Sequence, residues 1–372
     1  MESLSHLVAT IDSAYLKPSP VAPNIGNDTY LAMHYDNEGQ SNMGWTGFQS
    51  LDDNLPESTQ IRKVAASCSR NTGDLHMIFQ TFDNKLLHSI RFGNGNSQSR
   101  PDEVNSIILQ IPIATGPTPE TSGSVTCSLD PDDNLHLFVI DNRNELLYTF
   151  GSSSILPDRS RKITFQQFWE AIPLPVGHKI KVDSGLSCTS DSNGNLHLYI
   201  TDTDGVLWYN IRDQRGVWNF WNYVPPVILG STVPITIVII NNVACAPNQN
   251  GNVQICAIDS GGTLLYNVYD HSTGKFRGWI NLVHEMQAKN SQCTSNPYRF
   301  LKITCSTDPD NTLHVCGILS PSIPHQGMGL MVYTWRTFNT VAYPVNCFIP
   351  VQEYAFEEDI SAIPISISIA HN

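Results

Sequence analysis

One pattern governs what this chain can become: a unit of roughly sixty residues that returns five times. It begins at Val64 (VAASCSRNTGDLHMIF), Val125 (VTCSLDPDDNLHLFV), Leu186 (LSCTSDSNGNLHLYI), Val243 (VACAPNQNGNVQICA) and Ile303 (ITCSTDPDNTLHVCG). In each unit a short apolar strand carries a cysteine, a polar turn follows, and a second strand carries His76, His136, His197, Gln254 or His314. A turn such as TDTDG or DSGGT leads to a third strand (KLLHSI, ELLYTF, VLWYNI, TLLYNV). A fourth, aromatic strand (FQQFWEAI, VWNFWNYV, FRGWINLV) ends the unit. Four antiparallel strands at fixed spacing predict a propeller blade, which can bury both faces only by stacking on neighbours in a ring.

The two ends supply a sixth blade. SHLVATI, TYLAMHYD and GWTGFQSL match strands two, three and four, with His6 in the histidine position. The missing first strand is PISISIA at the far end, with Ile367 set against the cysteines. Sewing one blade from both ends closes the ring and removes free strand edges. The expectation is an all-β, six-bladed β-propeller of four-stranded blades, a single domain over residues 1–372. Its blades span about 5–51 plus 360–371, then 61–113, 121–176, 182–228, 239–285 and 298–350.

Composition narrows the function classes. Apolar residues are 41% of the chain, charged residues only 15%, and the net charge is −13 with no cationic cluster longer than RSRK. A nucleic-acid groove needs clustered cations to track phosphates, so none is expected. No apolar run is long enough to span a membrane. No signal peptide is visible, which leaves a cytoplasmic chain and a mature secreted form both open, as is the oligomeric state.

Nine cysteines show no chelate spacing, so no metal and no cofactor is expected. Cys68, Cys127, Cys188, Cys245 and Cys305 recur at intervals of 59, 61, 57 and 60 residues and read as equivalent packing positions. Hairpin spacing alone allows Cys245–Cys256 and Cys305–Cys316 disulfides, but buried free thiols are the expectation. The acidic turns, DPDD and TDTDG among them, read as turn chemistry rather than calcium loops.

The candidate ligand-binding residues follow from the repeat. The histidine slot is followed 12 residues later by a polar aromatic: His76 and His88, His136 and Tyr148, His197 and Tyr209, Gln254 and Tyr266. These are expected to oppose one another across the second hairpin. The sixth repeat offers His314 and Tyr333, the split blade His6 and Ala32. Fourth-strand Trp169, Trp221 and Trp279, with Phe48, complete an aromatic wall. Buried pairs of this kind can fix strand register, or they can line pockets between blades where a ring stacks on a sugar or apolar ligand.

LHLYITDTDGVLWY followed by a tryptophan-bearing strand, repeated around the chain, resembles the fungal fucose-specific lectins, which are six-bladed propellers. That resemblance implies an Arg on the second strand and a Glu on the third gripping the sugar. Here those positions hold His or Gln, and Ala, His or Tyr, so tight fucose binding is not expected. The leading expectation is a lectin-like propeller taking a glycan or other small molecule between blades. The alternative is an enzyme on the same scaffold, since the linkers are unequal and proline-rich. That alternative is similar to the lectin-like fungal hetero-Diels–Alderases, which act on humulene-type terpenes and tropolone quinone methides in secondary metabolism.

Overall fold

A computed structural model of the protein describes residues 4–12, 27–35, 44–45, 49–50, 61–81, 85–91, 107–110, 123–141, 143–155, 161–166, 168–180, 185–226, 239–289, 299–307, 311–319, 330–336, 349–350 and 364–371. Side chains of 4–50, 91, 107–110, 155, 161, 286–289, 330–350 and 364–371 lie outside that description. The described strands form six antiparallel sheets of four or five strands each. In each sheet the strands lie in the order the repeat predicts: first, second, third, then a fourth that is short or broken in two.

The first strands touch in a closed circuit. Ile61–Cys68 lies against Val125–Leu129, then come Leu186–Ser190, Ile240–Pro247, Phe300–Thr307 and Pro364–His371, which returns to Ile61–Cys68. Pro364–His371 pairs antiparallel with Leu4–Asp12, placing Ser5 opposite His371. The chain is therefore a six-bladed propeller whose first sheet is built from both ends, as the sequence predicts.

Four of the second strands are buried on both faces: Leu75–Thr81, Leu135–Ile140, Leu196–Thr201 and Leu313–Leu319 carry no exposed residue. A strand covered by blades on either side reads as a continuous apolar run rather than an alternating one. Turn carboxylates shape the hairpins. Asp130, Asp191, Asp213 and Asp259 each accept at Oδ1 from the backbone N–H groups two and four residues on. Asn248 does the same in the fifth blade. The acidic runs are thus engaged in turn formation, as expected.

Register corrects several residue assignments. In blades three to six the cysteine pairs with the residue after the histidine slot, as Cys127 does with Leu137. In blade two Cys68 pairs with Leu75, and Ala66 holds the cysteine position opposite Met77. The hairpin there is one residue longer, turning at Gly73 with φ +75°, so matching letters displaced the alignment by two. In the split blade Ile369, not Ile367, faces the residue after His6, and Leu31 rather than Ala32 is opposite Val8. In blade six Ile349–Pro350 pairs with Tyr333 and Val332, whereas TFNTVAYP lies outside the described residues. Blade five ends in a helix the repeat does not announce, Leu282–Lys289, where Asn281 Oδ1 accepts the His284 N–H at 2.9 Å.

Register also excludes the two conceivable disulfides. Cys245 pairs with Ile255 and Cys256 with Ala244, so the two thiols lie on opposite faces of the sheet; Cys305 and Cys316 are separated in the same way. The seven cysteines among the described residues are free and buried; Cys293 and Cys347 lie outside them. No described helix is long and apolar enough to cross a membrane.

Candidate functional site

The histidine slots are tied into their own blades. His136 donates from Nε2 to Asp130 Oδ2 at 3.4 Å, and its Nδ1 accepts the Tyr148 hydroxyl at 3.0 Å. His197 donates from Nε2 to Asp191 Oδ2 at 3.1 Å, six residues back at the start of the same hairpin. His76 Nδ1 and His88 Nε2 are 3.1 Å apart, and burial followed by the His76 charge pushes the His88 pKa well down. In blade five Tyr266 donates to Gln254 Oε1 at 3.1 Å, while Gln254 Nε2 reaches Thr307 Oγ1 of blade six at 3.3 Å. Each bond satisfies a group that would otherwise be buried unpaired.

The partners are diagonal rather than directly opposite. His76 faces Ile90 and Ile78 faces His88; His136 faces Phe150 and Phe138 faces Tyr148. Turn centres lie one residue further on than midway, and the resulting offset of two keeps the pair on one face. His314 is buried with Trp335 opposite it, and Tyr333 is opposite Cys316. Tyr209 departs from the pattern: it leaves His197 and packs on Tyr269 and Phe276 of the next blade.

Trp169, Trp221 and Trp279 occupy one structural position, immediately before the residue paired with the third-strand tyrosine: Glu170, Asn222 and Ile280. Two of them strap blades together. Trp221 Nε1 donates to Pro173 O at 2.7 Å, and Trp279 Nε1 to Pro225 O at 3.1 Å, in each case the exit of the preceding blade. Trp279 and Trp169 are buried, whereas Trp221 is half-buried.

Between blades three and four the same positions build a different surface. Arg212, at the end of the third strand, bridges to Trp218 across the sheet. The Arg212 guanidinium carbon lies 5.4 Å from the Tyr148 ring centre, and the Trp218 ring meets Tyr148 edge-on at 6.0 Å. Arg212 Nε and Trp218 Nε1 are both buried, and neither has a hydrogen-bond partner among the described residues. Leu174, Trp208 and Trp221 pack alongside. Burial pushes the Tyr148 hydroxyl pKa up, so it stays protonated. Arg212 and Trp218 were not among the sequence candidates; sister blades put Arg91, Gly151, Tyr269 and Arg336 at the first position and Trp45, Phe165 and Phe276 at the second. The signal available was an arginine that recurs at this position in three blades, as Arg91, Arg212 and Arg336.

His178, Asp202 and Asp204 bring ligand atoms within 4.8 Å of one another. Asp202 is already committed: Oδ1 accepts two backbone N–H groups, and Oδ2 accepts His178 Nδ1 and Trp208 Nε1. A separate cavity of about 250 Å³ lies on the ring axis.

The described strands define a six-bladed β-propeller. Among solved structures the chain is similar to a fucose-specific lectin from Aleuria aurantia, at 10% identity and TM-score 0.46, covering 89% of this chain and 93% of that one. It is similar also to a lectin from Burkholderia pseudomallei, at 12% identity and TM-score 0.47 with 90% and 86% covered. A third is AofleA from Arthrobotrys oligospora, at 12% identity and TM-score 0.37 with 84% and 89% covered. No family profile and no curated protein sequence matches the chain.

Proposed function

We propose that the protein is a lectin-like propeller that binds a carbohydrate in the cleft between blades three and four. Arg212, Trp218, Tyr148 and Trp221 are its ligand-facing residues in this reading. The observation that carries it is the pair of unpaired buried donors, Arg212 Nε and Trp218 Nε1, beside one aromatic ring. Such donors are costly until an acceptor oxygen arrives, and sugar hydroxyls supply acceptors beside apolar ring faces that stack on aromatics. Tyr209 holds the corresponding position one blade on. In the same reading His76, His88, His136, His197, Tyr266, Trp169, Trp279 and His314 hold the blades, and the Tyr333 side chain lies outside the described ones. Arg212 has no carboxylate in the third-strand slot beside it, which supports weak rather than tight fucose recognition.

The enzyme reading asks for an apolar, aromatic pocket over one end of the ring. The axial cavity is lined by hydroxyls, thiols and carboxylates together with Leu129, two alanines and two prolines, and by no aromatic side chain among the described residues, so nothing among the described residues favours that reading. A glycan array, followed by calorimetry on the best hit, tests the proposal. Arg212→Met should weaken binding about 10-fold or more, as expected for a lost charged hydrogen bond of ~1.5–3 kcal/mol. Tyr209→Phe should leave it within about twofold. Binding indifferent to Arg212→Met would move the site elsewhere.

A further inference from the structure

Three arginines on the described surface carry their own carboxylates. Arg143 pairs with Asp141 and Glu145, Arg215 with Asp213, and Arg277 with Asp270, all at 2.7–3.0 Å. Each of these arginines is more than half exposed. Arg212 reverses both traits: it is half-buried, and it forms no ion pair among the described residues. The carboxylate next to it in sequence, Asp213, is spent on the Arg215 guanidinium and on the N–H groups of Arg215 and Val217.

The surroundings fix how Arg212 presents its donors. Its guanidinium carbon lies 5.4 Å from the Tyr148 ring centre. Its Nη2 lies over Gly216, 2.8 Å from where a Cβ on that residue would stand. Nε is enclosed, whereas Nη1 and Nη2 stay open to the cleft. What remains is an end-on fork of N–H donors, which matches two oxygens of a carboxylate or of a sulfate. A single sugar hydroxyl fills only one prong. Burial has already stripped this cation of part of its water, so a neutral ligand leaves the charge uncompensated and an anion does not.

The acids around the cleft bear on whether an anion can enter. Glu170, directly opposite Tyr148 on the fourth strand, and Asp130 both set a negative field at the Tyr148 hydroxyl. Asp130 is held by His136 and by its own turn. Glu170 is exposed, so water and salt weaken its repulsion. The rest of the net charge of −13 is spread over the chain, and charges more than about 8 Å away are largely screened at physiological ionic strength. A direct charge-assisted pair on Arg212 outweighs both.

We propose that the cleft between blades three and four selects a sugar bearing an oxyanion, either a uronate carboxylate or a sulfate ester, with that group on Arg212 Nη1 and Nη2 and the ring beside Trp221. The inference rests on this cleft being the carbohydrate site, and it adds the charge of the ligand.

Calorimetry of the full chain tests it with the methyl glycosides of glucose and galactose, the matching uronates, the uronate methyl esters and the 6-sulfates. A uronate or a 6-sulfate should bind about tenfold or more tighter than its neutral parent, with the advantage shrinking at raised salt. The two anionic arms tell which oxyanion is preferred, and the methyl esters should bind like the neutral parents. Arg212→Lys keeps the charge but loses the fork, so it should erase most of the advantage, with the fold checked by circular dichroism. Glu170→Gln should strengthen the anionic ligand a fewfold and leave the neutral ones unchanged. Neutral glycosides binding as well as the anionic ones, an advantage untouched by Arg212→Lys, or a loss of anion binding in Glu170→Gln would overturn this inference alone and leave the cleft a site for neutral sugars. No binding by any of these glycosides would overturn it together with the carbohydrate reading.

Discussion

The clefts on either side of blade four are built from the same three positions and end in opposite states. Toward blade five, Tyr209, Tyr269 and Phe276 meet ring on ring, at centre distances of 4.9–5.9 Å. Toward blade three, the position of Tyr269 is taken by Arg212 and that of Phe276 by Trp218. One cleft is closed by its own aromatics. The other keeps two hydrogen-bond donors unsatisfied. A repeat thus makes a site where it leaves its packing incomplete, and the cleft toward blade five shows what completion looks like.

The two tryptophan straps give the largest test of that contrast. Trp279 is 1% exposed and seals the closed cleft; Trp221 is half-buried beside the open one. Trp279→Ala should destabilise by about 3–5 kcal/mol, the usual range for a buried Trp, and Trp221→Ala by about half as much. Urea unfolding midpoints read both. Equal losses would mean that both clefts are sealed alike.

A third cleft extends the comparison to pH. His88 of blade two stands where Tyr148 and Tyr209 stand, edge-on to Phe165 of blade three at 5.5 Å. Its folded pKa lies below the unfolded value of about 6.5, so the unfolded chain takes up the proton first. Stability is full above roughly pH 6.5 and falls below it, by up to about 1.4 kcal/mol per pH unit. Asp130 and Asp191, held below 3.8, lose their contribution only further down. Thermal melting at pH 7.5 and 5.5 should separate the parent from His88→Tyr, which removes the loss in this window. An identical drop in both would place the titrating group elsewhere.

The smallest effect concerns two turn glycines. Gly216 has φ +84°, and a Cβ there would meet Arg212 Nη2 at 2.8 Å; Gly274 has φ +66°, and its nearest neighbour would be the Tyr269 hydroxyl at 3.9 Å. Alanine at either should lower stability by ~1 kcal/mol through backbone strain. Only Gly216→Ala should also shift the guanidinium and weaken glycan binding by a fewfold. Matching affinities for the two variants would uncouple Arg212 from the ligand.

Fold and site were legible to different depths. Blade number, strand order and closure follow from Cys127, His136 and their sisters, because a half-buried unit leaves the chain no other way to cover its faces. Register was less legible. The hairpin at 69–74 is one residue longer than its sisters, which displaces Cys68 by two positions, and no hairpin joins Pro364–His371 to Leu4–Asp12 to fix the place of Ile367. The candidate site was least legible of all. His197 and Tyr148 stand out by recurrence, yet recurrence marks what every blade needs in order to stand. Arg212 recurs as Arg91 and Arg336 and Trp218 as Trp45, and nothing in the sequence says which of them meets an aromatic ring of the neighbouring blade.

The seam between the two ends has a mechanical consequence. Ser5 faces His371 and Ile11 faces Pro364, so the outer ends of both strands emerge at the same edge of the sheet. Antiparallel hydrogen bonds run across the strands. A pull on the two ends therefore loads these bonds one after another, as in opening a zipper, instead of shearing them together. The ring that is strongest against loss of an edge strand in solution is weakest against tension along its own chain.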